Sequence, residues 1–219
     1  MGITYQILIA DDHPLFRSAL FQALNAGLAG DIRLTEAGSI AELQTLLEQA
    51  GQWDLVLLDL NMPGAHGFSG LVLLRSQFPH IPVIIVSAQE EAAVVRRARD
   101  FGASGFIPKS SSLESIQNAV QSVLDGDVCW PPQVDEAVSP LSAEQETISA
   151  QLASLTPQQF RVLSMVCDGL LNKQIAYELN VSEATVKAHV TAIFRKLDVR
   201  TRTQAALALQ HMELAREPS

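Results

Sequence analysis

Short β-branched runs alternate with longer stretches whose apolar residues recur every three or four positions, and this alternation fills the first half of the 219-residue chain. Residues 5–10, 32–36, 55–58, 83–86 and 105–107 read as strands. Residues 15–24 and 40–47 carry helical spacing, and each later strand is also followed by a segment of that kind. A regular alternation of strand and helix predicts an α/β domain in which helices cover both faces of a five-stranded parallel sheet. Right-handed crossovers leave few ways to connect it.

One such way is the flavodoxin-like (βα)5 order 2-1-3-4-5, in which ligands bind beyond the carboxyl ends of the strands, where strand order reverses between strands one and three. Asp11 and Asp12 follow the first strand and Asp59 the third, so this order brings three acids together. Ser87 follows the fourth strand and Lys109 the fifth. Three readings fit the acids. Asp11 and Asp12 can cap a helix that begins at Pro14, since a side-chain oxygen there accepts orphan backbone N–H bonds. The set can hold Mg²⁺ or Mn²⁺ through oxygen ligands. Asp59 can act as a carboxylate nucleophile toward a phosphoryl group. The last two support each other, because a cation offsets the repulsion of clustered carboxylates and the charge of an incoming phosphoryl group. Lys109 adds a cation for a phosphoryl oxygen and Ser87 a hydroxyl donor.

The second half has a different character. Residues 1–126 form the first predicted domain, with net charge −6, and residues 127–154 an acidic linker of net −5 that is helical from about 142 onward. Residues 155–219 form a wholly helical domain of net +2, with six basic and three acidic residues between Lys173 and Arg202. A polyanion therefore meets the C-terminal part of a chain whose total charge is −9. Thr156 and Gln159 make a capping box ahead of one helix, Asn172 is placed to cap a second, and Ser182 opens a third after a short turn. That is helix-turn-helix spacing. In the third helix, 183–197, Val186, Val190, Ile193 and Leu197 form an apolar stripe. Ala184, Lys187, Ala188, Thr191 and Arg195 form an opposite face that is small and basic, suited to a major groove, although amphipathicity alone also fits an ordinary exposed face. Two cysteines, Cys129 and Cys167, without metal spacing, and no apolar run of about 20 residues predict a cytoplasmic protein without membrane association.

The segments IADDHPLFR, LLDLNMPG, IIVSA and GFIPK resemble, in order, the receiver domain of bacterial two-component response regulators over residues 4–125. The resemblance implies that Asp59 accepts the phosphoryl group, and that Asp12, Asp59 and the backbone carbonyl of Asn61 ligate the metal with help from Asp11. It also implies that Lys109 binds the phosphoryl group and that Ser87 turns toward it. Phe106 stands where the family has an aromatic that changes rotamer with that serine; from the residues alone it is equally a core aromatic. Asn61 and Gln89 occupy positions that tune acyl-phosphate lifetime, which implies slow self-dephosphorylation. Pro108 precedes Lys109 here, where the family often has proline directly after the lysine, so a cis Lys-Pro bond is absent and the isomer of Ile107-Pro108 is left open.

Residues 155–207, with NKQIA, SEATVKAHV and RKLDVRTRTQA, resemble the LuxR-type DNA-binding domain of the NarL/FixJ subfamily. That resemblance implies base-edge contacts from Lys187, Ala188 and Thr191. It implies phosphate contacts from Asn172, Lys173, Ser182, Thr185, Arg195, Lys196 and Arg200, dimer formation through a last helix at 203–214, and a receiver that covers the recognition helix before activation. Gln159 and Arg161 replace two glutamates common in the family's first helix.

Together these features predict a transcription regulator phosphorylated by a sensor histidine kinase, binding double-stranded promoter DNA as a homodimer, with RNA polymerase as a further partner. Catalysis is limited to its own phosphorylation and slow dephosphorylation. A haloacid-dehalogenase-type phosphatase needs a second aspartate two residues after the nucleophile, where this chain has Asn61. A LuxR-type sensor of a small acyl molecule needs an apolar pocket where this chain has acids.

Overall fold

The computed structural model describes residues 4–28, 30–49, 51–132 and 143–210. Its first part runs β1 (Thr4–Ala10), α1 (Pro14–Gly27), β2 (Asp31–Ala37), α2 (Ile40–Glu48), β3 (Leu55–Asp59), α3 (Ser69–Gln77), β4 (Val83–Ser87), α4 (Ala92–Asp100), β5 (Gly105–Pro108) and α5 (Leu113–Leu124). All strand pairs are parallel and the order is β2-β1-β3-β4-β5. Strand periodicity explains the layers. Ile7 and Ile9 of β1, Leu55 and Leu57 of β3, and Ile84 and Val86 of β4 face Leu20 and Leu24 of α1 and Ile116 and Val120 of α5. The alternate residues Leu8, Val56, Leu58, Ile85 and Phe106 face α2, α3 and α4.

The second part is helical among the described residues: α6 (Ala143–Ala153), α7 (Pro157–Cys167), α8 (Asn172–Glu178), α9 (Glu183–Lys196) and α10 (Arg202–Gln210). The capping box at Thr156 and the Ser182 cap of α9 are present as the residues predict. Asn172 is not a cap. The cap position of α8 is Leu171, whose N–H donates to Gln174 Oε1, and Asn172 is the first helical residue, with its Oδ1 accepting from Arg202 Nη1 at 2.8 Å. Asn180, at a φ of 51°, ends the turn between α8 and α9 in the left-handed region that asparagine tolerates. The VSPL part of the linker and residues 211–214 of the predicted last helix lie outside the described residues.

The two parts share one apolar cluster. Ile148, Leu152 and Leu155 continue from α6 into Phe160 and Leu163 of α7, and α6 lies along α3. Ser164 Oγ of α7 donates to Gly64 O, in the loop after β3, at 2.8 Å. The docked helices are thus α6 and α7. The outer residues of α9, Ala184, Lys187, Ala188, Thr191 and Arg195, are all exposed, so the expected cover over the recognition helix is not seen in this arrangement.

Candidate functional site

At the carboxyl edge of the sheet, Asp11 follows β1 and Asp59 ends β3, and their residues are 1% and 2% exposed. Strand pairing puts them side by side, since Ala10 registers with Leu58. Lys109 follows β5, held in place by its N–H donating to Ser87 O at 2.8 Å. Its Nζ lies 2.7 Å from Asp11 Oδ2 and 3.0 Å from Asp59 Oδ2, and 4.8 Å from the centroid of the Phe16 ring. The two carboxylates hold the Lys109 pKa above its ordinary value in spite of burial. Burial pushes the Asp59 pKa up; Lys109 opposes that shift and Asp11 adds to it. Asp59 Oδ1 is buried without a hydrogen-bond partner among the described residues.

The acids do not cap α1. Asp11 Oδ1 accepts instead from the N–H of His13, the cap residue, at 2.8 Å, and no side chain caps that helix. The Asp12 side chain keeps 33% of its surface exposed at the mouth of the site. Ligand atoms of Asp11, Asp12, His13 and Asp59 all lie within 4.8 Å of one another. His13 is absent from the residues that the sequence pattern singles out, although its place beside the paired acids was a signal. Arg17 is also absent from them: it donates to the backbone carbonyl of Asp11 while its Nε pairs with Glu36 at 2.6 Å, and nothing in the sequence marks that reach.

Ser87 is fully buried, and its Oγ accepts from the N–H of Gln89 at 3.1 Å. Phe106 is buried and registers with Ile85, two residues before Ser87, so the two side chains share a face of adjacent strands. Asn61 is exposed, and its backbone N–H acts on Asp59 only as a minor influence that lowers the carboxyl pKa against burial. No peptide among the described residues is cis, so Ile107-Pro108 is trans.

In the helical part, Lys173, Ser182, Thr185, Lys187, Ala188, Thr191, Arg195 and Arg200 are exposed. Thr191 Oγ1 donates back to Lys187 O at 2.9 Å. Lys196 is half-buried. Its Nζ is drawn inward to Ser154 O at 2.6 Å and Gln159 Oε1 at 2.8 Å, where the helix-ending carbonyl and the capping-box amide leave acceptors to be satisfied.

Residues 7–121 match the response regulator receiver domain model, and residues 153–209 match that of bacterial regulatory proteins of the luxR family. The chain belongs to the response regulators. A curated relative named glycerol metabolism activator, from Pseudomonas putida, is 44% identical over 212 residues, covering 93% of this chain and 94% of that protein. The nitrate/nitrite response regulator protein NarL of Escherichia coli strain K12 is 34% identical over 208 residues, covering 92% and 93%. Among solved structures, the RcsB response regulator of Salmonella typhimurium shares the fold at a TM-score of 0.55 and 20% identity, covering 95% of this chain and 97% of that one. A receiver joined to a LuxR-type DNA-binding domain makes this response regulator a transcription factor, and its family implies a kinase partner. No described helix is long and apolar enough to cross a membrane.

Proposed function

We propose that this response regulator is switched by phosphorylation of Asp59 and then binds promoter DNA as a dimer. The observation that carries the reading is a buried carboxylate with one oxygen held by Lys109 and the other without a partner. Asp59 Oδ1 is the nucleophile left available: it forms a bond to phosphorus as the phosphorus–nitrogen bond of a phosphohistidine on a sensor histidine kinase breaks, giving an acyl phosphate. Lys109 pairs with a phosphoryl oxygen, and Ser87 donates its hydroxyl to another after leaving Gln89, with Phe106 moving beside it.

The donor set fits Mg²⁺ or Mn²⁺: carboxylate oxygens of Asp12 and Asp59, the Asn61 carbonyl, and Asp11 in support, with an orphaned buried Asp59 oxygen among them. Such a cation supplies charge neutralisation for the phosphoryl oxygens. Everything else is done by the chain, which orients the nucleophile and excludes bulk water around it. The regulator turns over no substrate beyond its own phosphorylation and slow dephosphorylation, since Asn61 cannot serve as the general acid of a phosphatase.

For DNA, Lys187, Ala188 and Thr191 face the base edges, with Lys173, Ser182, Thr185, Arg195 and Arg200 on phosphates, joined by the Asn172 amide, whose Oδ1 is already taken by Arg202. Because the outer face of α9 is open, control acts through dimer formation and half-site placement rather than through uncovering that face. RNA polymerase is a further partner, and the setting is the cytoplasm. Acetyl phosphate with Mg²⁺ is expected to add one base-labile phosphoryl group, visible as a mass increase of the intact protein. Full labelling of Asp59→Ala would sink the assignment.

A further inference from the structure

We propose that the imidazole of His13 is a nitrogen ligand of the divalent cation held at the acidic edge, so that His13 tilts metal choice toward borderline transition ions. The proposal rests on the reading that this edge binds a cation. His13 Nδ1 lies 2.7 Å from Asp12 Oδ1 and 3.1 Å from Asp11 Oδ1, which aims the ring into the cluster although its side chain is 64% exposed. It makes no side-chain cap bond as the cap residue of α1, and its side-chain contacts are to the two acids themselves. Its backbone is pinned where a ligand must be pinned: the N–H donates to Asp11 Oδ1, and the carbonyl accepts from the N–H groups of Phe16 and Arg17 at 3.1 Å each.

The other donors are partly committed. Lys109 holds Asp11 Oδ2 and Asp59 Oδ2, which leaves Asp59 Oδ1, the Asp12 carboxylate and His13 Nδ1 as ligands facing the same space. Mg²⁺ takes oxygen ligands and gains little from imidazole, whereas Mn²⁺, Co²⁺ and Ni²⁺ gain progressively more. An all-oxygen site follows that metal order as well, so preference in the natural protein is not diagnostic. The change on removing the nitrogen is.

The full chain loaded with Mn²⁺, examined by pulsed electron paramagnetic resonance, is expected to show a directly coordinated ¹⁴N that disappears in His13→Gln. In equilibrium dialysis, the ratio of Ni²⁺ to Mg²⁺ affinity is expected to fall in that variant by at least about tenfold, the scale on which even outer partners of metal ligands act. His13→Asp restores a potential oxygen ligand and is expected to keep Mg²⁺ binding without the nitrogen signal. Bound Mn²⁺ with no ¹⁴N coupling, or an unchanged affinity ratio, overturns the role of His13 alone. Failure of Mn²⁺ to bind the natural protein overturns the cation site itself.

Discussion

Asp59 is costly to the fold as well as central to the proposed reaction. Burial favours its protonated form, so the folded state binds that proton more tightly than the unfolded chain does. The stability associated with the neutral carboxyl is therefore present below the ordinary aspartate value of 3.8 and lost as pH rises through the raised folded value. Asp59→Asn is expected to raise the thermal unfolding temperature at neutral pH, with the gain shrinking as pH falls toward 3.8, where both side chains are neutral. Thermal melts across that pH range check it; a gain that grows on acidification contradicts it. Lys109 keeps Asp11 as its partner in this variant, which limits the opposing loss. The paired acids were legible in the sequence because strand order alone brings them to Asp59. That they leave α1 uncapped was not, because it depends on where the Asp11 oxygen points, and that oxygen meets the N–H of His13 rather than those of the first helical turn.

At the scale of elements, the exit from α5 is built into the sheet. Phe106 N–H donates to Cys129 O at 2.9 Å and Cys129 N–H to Ser104 O at 3.1 Å, so the chain after the receiver lies against the edge of β5. A methyl group at Gly105 would stand 2.8 Å from Cys129 O, so only glycine permits this approach. Gly105→Ala is expected to cost about 1–3 kcal/mol in denaturant unfolding, as overpacking does. The Cys129 thiol, whose pKa burial pushes up, is expected to alkylate faster in this variant, by a mass-resolved labelling rate. In α9, Lys187→Ala is expected to weaken DNA binding by about 1–3 kcal/mol and to relax sequence preference. Lys173→Ala is expected to weaken all sequences alike and reduce the salt slope by about 1. A uniform loss for Lys187→Ala would make it a phosphate contact. The divided faces of α9 follow from helical period and were legible; the inward turn of Lys196 follows from acceptors at Ser154 and Gln159, which the period of α9 does not contain.

On the scale of the whole molecule, the loop that begins directly after Asp59 is the one that α7 touches. Ser164 Oγ bonds Gly64 O, and His66 Nε2 lies 3.7 Å from Asp168 Oδ1. Along the same seam, Gln44 has neither amide atom paired, Gln77 Oε1 and Arg161 Nε lack hydrogen-bond partners among the described residues, and all of these atoms are buried. Each such group costs about 1–3 kcal/mol where water does not reach it. Ser164→Ala leaves the Gly64 carbonyl unpaired. Hydrogen exchange is expected to rise together at residues 64–66 and across α7, with α9 unchanged. A rise confined to α7 would show that the seam does not transmit between the two parts.

Strand positions, the apolar faces and, given the flavodoxin-like order, the convergence of Asp11, Asp12, Asp59 and Lys109 were legible in the residues, because period and connection rules act locally and repeat. How Lys109 divides itself between two carboxylates, how His13 turns into the acids, and which helices dock on the receiver are set by packing in three dimensions. Those outcomes depend on side chains distant in sequence competing for the same few buried partners, and no periodic pattern records which of them wins.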